Sequence, residues 1–432
     1  MKTAAVIAEY NPFHNGHAYQ LQTVREQSGA EFLIVVMSGD FVQRGEPAIV
    51  DKYLRTQMAL DGGANLVLEL PCAASTGSAG EFASAAVAVL DKTGIVDELW
   101  FGSECGRIEP FLEMAQCLAE ETEDFRKDLQ ASLAAGSSYP AARALAAVRE
   151  LRRRNGLREA DAGFCPGVPA AAEEKLLNDF LAMPNNLLGL EYCIALRKSG
   201  SRIVPHTMLR AGAGHHDLVP EGAYASAGAI RKLLEEAWRD KISQTEKNNV
   251  LPLTELRRLV PESTCRHLQM TLQSGAPVLL DDFSEQLFYQ LLKEDRKSIQ
   301  QYHGVTESLA NRILTMTASS DTVTDLAEQV KARHLTRTGI NRILCRILLG
   351  ISEEDVLRVQ DPVYIRVLGF RGAGSLLAEL KKRAEVPYYF RFAEIPEDLY
   401  RQELFASQLY ERVRAWKAKD TFLPDWKRQV LK

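Results

Sequence analysis

The chain opens on an apolar run, TAAVIAE over residues 3–9, followed by Asn11-Pro12. A run of that length closed by proline reads as a buried strand and a turn, because proline fixes φ and has no N–H to donate. From Gly16 the apolar spacing changes. Ala18, Leu21 and Val24 recur at a helical interval. EFLIVVMSGD (31–40) is then almost continuously apolar, the pattern of a strand covered on both faces. Residues 51–61 read as a helix, ANLVLELP (64–71) as a third strand, 78–91 as an alanine-rich helix and DELWFGSE (97–104) as a fourth strand. Strand and helix alternating at these lengths predict an open parallel sheet with helices on both faces.

Strand signals fade from Pro110 to about Leu181, where Glu, Ala, Leu and Arg dominate and predict a helical insertion, set at about 108–182. SRIVPHTMLR (201–210) resumes the sheet, and Ser226 to Arg239 forms a helix. After the polar stretch SQTEKNN (243–249), residues 250–360 are mostly helical in pattern, and VPYYFRFAEIP adds a little irregular or β structure. These shifts divide the chain into a first domain, 1–245, and a mostly helical second domain, 246–432.

Length and charge narrow the classes. At 432 residues the chain is too long for one simple core. Its 46% hydrophobic and 25% charged residues are ordinary for a globular protein. A formal charge of -5 excludes a wholly basic nucleic-acid wrapper, so any RNA contact comes from a local patch. Seven cysteines are scattered without a CxxC pair, which suggests neither a zinc knuckle nor a disulfide framework. The N-terminus turns polar too soon for a signal peptide, and no apolar run reaches the roughly 18 residues of a membrane span. A cytoplasmic location is expected.

The candidate chemistry sits at His14-Asn15-Gly16-His17. Ligands of open α/β sheets lie beyond the carboxyl ends of strands. Unpaired N–H groups and the positive end of a helix dipole favour an anion there. Residues three apart can project to one side of the first turn. Gly16 removes a side chain that would block approach to the backbone. Two imidazoles, a bare backbone and a helix start suit a triphosphate with a base beside it. The competing structural reading is that the two histidines merely cap a turn or meet a buried carboxylate. No carboxylate at suitable spacing completes a metal triad here, and none is expected. His215-His216-Asp217 suggests a metal only weakly.

HNGH resembles the HxGH signature of the nucleotidyltransferase superfamily, which includes adenylyltransferases and class I aminoacyl-tRNA synthetases. A second signature, S-[ST]-x-x-[IV]-R, is matched by Ser226-Ala227-Gly228-Ala229-Ile230-Arg231 except at Ala227, which lacks the hydroxyl. Ser226 can cap the helix and Arg231 can reach a phosphate oxygen. AEYNPFHNGH, SGDFVQRGEPAIVDK, LWFGSE, PNNLLGLEY, LRAGAGHHD and SAGAIR occur in that order. Together they resemble the tRNA(Met) cytidine acetate ligase family over the full length. FVQRGEP is the most specific block.

The resemblance implies an α/β, Rossmann-like nucleotidyltransferase (HUP-type) parallel sheet carrying the helical insertion and the mostly helical C-terminal domain. It implies a ligase that uses ATP to activate acetate as acetyl-adenylate and then acetylates N4 of the wobble cytidine of elongator tRNA(Met). It also implies a set of ATP contacts. These run through Ile7, Ala8, Glu9, Tyr10, Asn11, Pro12, Phe13, His14, Asn15, Gly16, His17, Ala18, Tyr19 and Gln20, and continue at Gly102, Asn185, Arg210 and Ser226. His14, His17 and Arg231 are the expected catalytic residues, with Mg2+ accompanying ATP. Elongator tRNA(Met) and acetate are the expected partners, with neither membrane nor DNA.

Two points lie outside the resemblance. Asp40, Asp51 and Glu104 are candidate bases for the amine step, and Lys52 reads as a phosphate or carboxylate ligand or as a solvated lysine. Residues 331–346, KARHLTRTGINRILCR, hold Lys331, Arg333, Arg337, Arg342 and Arg346 with no acid, and so predict a phosphate-holding face. RELRRRNGLR (149–158) fits a solvated face equally well. Two other functions stay open: another HxGH adenylyltransferase with a small-molecule substrate, and a non-catalytic nucleotide- or tRNA-binding protein.

Overall fold

The computed structural model describes residues 1–136, 139–154, 180, 183–210, 225–243, 253–332 and 335–432. They pack as two units, residues 1–97 with 216–432 and residues 98–215.

In the first unit, strands β1 (Thr3–Ala8), β2 (Phe32–Ser38) and β5 (Leu66–Leu70) lie where the apolar runs predict them, whereas the two-residue strands β3 (Phe41–Val42) and β4 (Glu46–Pro47) carry no such run. β1 pairs with β2 in parallel from Thr3 opposite Phe32, and β2 pairs with β5 in parallel from Ile34 opposite Leu66. Every residue of β2 is buried, as expected for a parallel strand with both faces covered. Helix α1 (Asn15–Ser28) joins β1 to β2, and α2 (Lys52–Asp61) precedes β5. Asp51 caps α2 by accepting the Leu54 N–H at 2.8 Å.

The second unit begins with β6 (Glu98–Ser103) and ends near β7 (Val204–Leu209), paired in parallel from Glu98 opposite Val204. Between them run helices Glu109–Ala119, Glu123–Ala134, Tyr139–Arg154 and Pro184–Ser199. The predicted insertion is helical where it is described.

The C-terminal part was read as helices with a little β structure near its end, and β9 (Tyr388–Tyr389) is that element. The sequence reading missed β8 (Ile365–Phe370), which pairs antiparallel with β5 from Leu66 opposite Phe370 and in parallel with β9. IRVLGF is as apolar as the early strands but follows a long helical stretch, and only its pairing with β5 marks it as part of the sheet. The C-terminal helices also share their core with the first half. Phe41 and Cys72 are buried with Phe283, Leu326, Ile340, Leu344 and Tyr410 in one cluster. Residues beyond 253 therefore pack in the same unit as residues 1–97.

Candidate functional site

The predicted ATP loop is the end of β1, the turn after it and the first half of α1. Tyr10 stands at φ 49°, in the left-handed region that a non-glycine residue occupies only under local constraint. His14 is the N-cap of α1, its Nδ1 accepting the Gly16 N–H at 3.1 Å. His17, three residues on, accepts the His14 N–H at its own Nδ1 at 3.3 Å. The pair forms a capping box with imidazoles in place of the usual hydroxyl and carboxylate. The two rings stack, with centroids 3.7 Å apart and planes 16° from parallel. Tyr10 and Phe13 pack edge-on and tilted against His17, with centroids at 4.8 and 5.6 Å, and hold its plane.

The capping reading and the anion reading thus concern different atoms of the same rings. With each Nδ1 accepting a backbone proton, the neutral ring carries its own proton on Nε2. The hydrogen-bond pattern assigns that tautomer to both histidines. Two Nε2–H donors side by side at a helix start are what a polyphosphate oxygen needs.

Other groups close around the loop. Ser226 accepts the Ala229 N–H at 3.2 Å and caps helix Ala227–Ser243, as expected. That helix delivers Arg231, which donates from Nη1 to the Asn11 carbonyl at 2.9 Å and pairs through Nη2 with Glu46 at 2.9 Å. Glu46 lies in FVQRGEP, and the sequence reading did not single it out. The block itself is a hairpin of β3 and β4. Its turn residue Gly45 has φ 71°, and a Cβ there would sit 2.2 Å from the Arg342 nitrogen. Only glycine permits both the turn and that approach.

Asn11 Oδ1 accepts the Ile49 N–H at 2.8 Å, which fixes the amide's orientation. Its Nδ2 and the Tyr10 hydroxyl are buried without a hydrogen-bond partner among the described residues, although Asn11 is only 2% exposed. Glu9 accepts the Gln43 N–H at 2.7 Å; burial pushes its carboxyl above the usual range and that bond partly offsets the rise.

Arg55 was also missed. It is fully buried and donates to the carbonyls of Glu9 at 2.7 Å, Ser38 at 3.0 Å, Val50 at 3.1 Å and Gly39. One guanidinium ties the outgoing ends of β1 and β2 together. No local pattern in the sequence marks an arginine in an ordinary helix for this role.

In the second unit Gly102 and Arg210 are neighbours: a Cβ on Gly102 would lie 2.9 Å from Arg210 Cγ. The Arg210 N–H donates to Ser103 O at 3.0 Å, and its side chain makes no ion pair among the described residues. Asn185 is the second residue of helix Pro184–Ser199. Its Nδ2 donates to Glu104 at 2.6 Å, and the N–H of Asn186 donates to the same carboxylate at 2.9 Å.

The other candidates resolve differently. Glu104 is held by those amides and Asp51 is spent on its cap. Asp40 is buried, accepts the Lys52 N–H at 2.8 Å, and is pushed by burial to about 6. Lys52 is not solvated; of the readings offered it takes the carboxylate one. It is buried 2.6 Å from Glu69 and 2.6 Å from Asp425. Burial alone would lower its ammonium, but Asp425, Glu69 and Asp40 hold it well above the ordinary range. His215, His216 and Asp217 lie outside the described residues.

The basic segment also differs from expectation. Helix Arg337–Leu349 begins at Arg337 behind its Thr336 cap. Arg346 is 5% exposed and donates to Glu81 at 2.8 Å. Arg337 pairs with Glu328 and donates to Asn341 at 3.1 Å. The compensating acids absent from the segment come from elsewhere in the fold. Lys331 is exposed, Arg342 is half-buried, and Arg333 lies outside the described residues. In the other run, Arg149 and Arg153 pair with Asp128, and Arg153 and Arg154 with Glu150. That run is an internally neutralised face as far as it is described.

This loop and its capping histidines define the class, and the family model described as HIGH Nucleotidyl Transferase matches residues 1–422. A curated tRNA(Met) cytidine acetate ligase of Acetivibrio thermocellus is 36% identical over 399 residues, 91% of this chain and 89% of that protein. One of Caldanaerobacter subterraneus subsp. tengcongensis is 34% identical over 417 residues, 95% of each chain. The crystal structure of Thermotoga maritima TmcAL bound with alpha-thio ATP matches with a TM-score of 0.84 at 30% identity, covering 100% of this chain and 99% of that one. The chain belongs to the tRNA(Met) cytidine acetate ligase family. Its curated relatives are named as ligases, which sets aside the small-molecule adenylyltransferase and the non-catalytic binder.

Proposed function

We propose that this protein condenses acetate with ATP to acetyl-adenylate and transfers the acetyl group to N4 of the wobble cytidine of elongator tRNA(Met). In the first step a carboxylate oxygen of acetate attacks the α-phosphorus and pyrophosphate leaves. The protein has little covalent work to do and must align the carboxylate and stabilise charge on the phosphates. The Nε2–H donors of His14 and His17 would serve the polyphosphate, and Arg231 the charge that develops on it. Ile7 to Gln20, with Gly102, Asn185, Arg210 and Ser226, would complete the ATP contacts. In the second step the cytosine amine attacks the acyl carbon, AMP leaves, and the amine's proton passes to solvent or a carboxylate. The adenylate is reactive enough that orientation carries most of this step.

The observation that carries the reading is the stacked His14–His17 pair, with Nδ1 of each ring spent on the helix cap and the neutral-ring proton on Nε2. Mg2+ would travel with ATP. That ion keeps water and phosphate as most of its ligands, so it needs few from protein. Residues 1–245 would supply the ATP chemistry and 246–432 the tRNA contacts, a division of labour rather than of packing. Lys331, Arg333 and Arg342 remain as proposed phosphate contacts, while Arg337 and Arg346 are committed to ion pairs. A tRNA substrate implies the cytoplasm; among the described residues no helix is long and apolar enough to cross a membrane.

The test is incubation with ATP and labelled acetate, with and without tRNA(Met). Label on cytidine is the expected result. Adenylate formed without transfer to RNA would remove the proposed acceptor.

A further inference from the structure

Within the basic segment marked by the sequence, Arg337 and Arg346 are neutralised by Glu328 and Glu81; charge elsewhere stays uncompensated. It is found on helix Glu397–Ala418. One side of that helix enters the core through Ala406, Tyr410 and Val413. The other presents Phe405, Arg412 and Trp416, continued by Lys419 just past the helix end. At 3.6 residues per turn Phe405, Arg412 and Trp416 fall within an arc of about 40°. No acid lies on that arc between residues 405 and 419.

The exposure on this stripe is unusual. Trp416 is 78% exposed and Phe405 47%. Neither Arg412 nor Lys419 has an ion-pair partner among the described residues. The nearby acids are already engaged: Asp420 and Glu411 both bind Arg414, and Asp282 binds Lys417. Arg412 lies 4.3 Å over the Phe422 ring, which widens the stripe with a second stacked plane. A solitary exposed apolar residue needs no explanation. Aromatic faces interleaved with unpaired cations along one line do. The aromatic planes fit unstacked bases, and the cations fit the phosphates between them.

We propose that this face of helix Glu397–Ala418 is a stacking platform for a single-stranded loop of the tRNA. The assignment rests on the ligase reading above and gives it an RNA-contact surface. Trp416 takes a base on its ring, and Arg412 and Lys419 neutralise flanking phosphates. The complementarity is to RNA, because exposed rings alternating with unpaired cations match the alternation of bases and phosphates along a single strand.

The experiment compares wild type, Trp416→Ala, Trp416→Phe and Arg412→Gln in gel-shift titrations with tRNA(Met) and with a blunt RNA duplex lacking a loop. ATP–pyrophosphate exchange with acetate is measured in parallel. Trp416→Ala should weaken tRNA binding roughly tenfold, the loss expected for one stacked base, and leave duplex binding and exchange unchanged. Trp416→Phe should recover most of the affinity, since it keeps a π-face. Arg412→Gln should reduce the dependence of log affinity on log salt by about one phosphate contact. Unchanged tRNA affinity in Trp416→Ala overturns the proposal. So does a shift in oligomeric mass by sedimentation with RNA affinity intact, which would make the face a contact between copies. Wild-type protein that binds no tRNA overturns this proposal together with the ligase reading, whereas binding that ignores Trp416 overturns the platform alone.

Discussion

In the histidine cap of α1, polar groups find partners two or three residues away: His14 holds Gly16, and His17 holds His14. In helix Arg337–Leu349 they find them at long range. Arg346 reaches Glu81, 265 positions earlier in the chain. The first region is built by local geometry and leaves one edge of each imidazole proton-bearing. The second spends its charge on assembling the fold. Basic residues in a row are thus a weaker sign of RNA binding than the same residues shown to lack acids in three dimensions.

The regions are joined by the hairpin of β3 and β4. Glu46 meets Arg231 on one side, and Gly45 lies against the backbone of Asn341 and Arg342 on the other. Breaking that joint should have the largest effect. Gly45→Ala adds a Cβ in a left-handed turn against backbone that cannot move cheaply, and should cost about 4 kcal/mol of stability. Urea unfolding measures it, and an unchanged midpoint would mean the two regions are not coupled through the turn.

His17→Ala comes next and separates site from scaffold. Loss of one charge-stabilising donor typically costs about 3 kcal/mol of barrier, so acetate-dependent ATP–pyrophosphate exchange should fall a hundredfold or more while the fold persists. Full exchange in that variant would refute the phosphate role.

A smaller effect should come from Arg346→Ala, which leaves Glu81 without its guanidinium. Partial exposure of Glu81 limits the loss to about 2 kcal/mol of unfolding free energy. Affinity for tRNA should stay within about twofold, since a buried guanidinium neutralises no phosphate. The opposite result, normal stability with lost RNA binding, would invert the comparison.

The smallest effect concerns pH. His303 is held above the usual imidazole range chiefly by its hydrogen bond to Glu81, against the opposing effects of burial and of Arg346. A raised pKa in the folded state means that folding takes up a proton. The stabilisation is complete below the unfolded imidazole value of about 6.5 and is lost as pH rises through the folded one. Thermal unfolding followed upward from pH 6.5 should show that decline, and His303→Gln should flatten it. Identical slopes in the two proteins would place the titration elsewhere.

Much of the molecule could be read from one dimension. Runs of apolar residues marked β1, β2, β5 and β6, because a buried parallel strand must be apolar on both faces. The HxGH spacing marked the crossover, because a capping box operates within one turn. Ser226 and Arg231 carried enough local pattern to be named. Tertiary structure alone decided the rest. β8 joined the sheet through β5, Lys52 became buried between Glu69 and Asp425, Arg55 tied two strand ends, and Arg346 of helix Arg337–Leu349 was neutralised from afar by Glu81. The physical reason is one of range. Capping, turns and periodicity act over a few residues, whereas the sign and availability of a charge depend on every group the folded chain brings within a few ångströms of it.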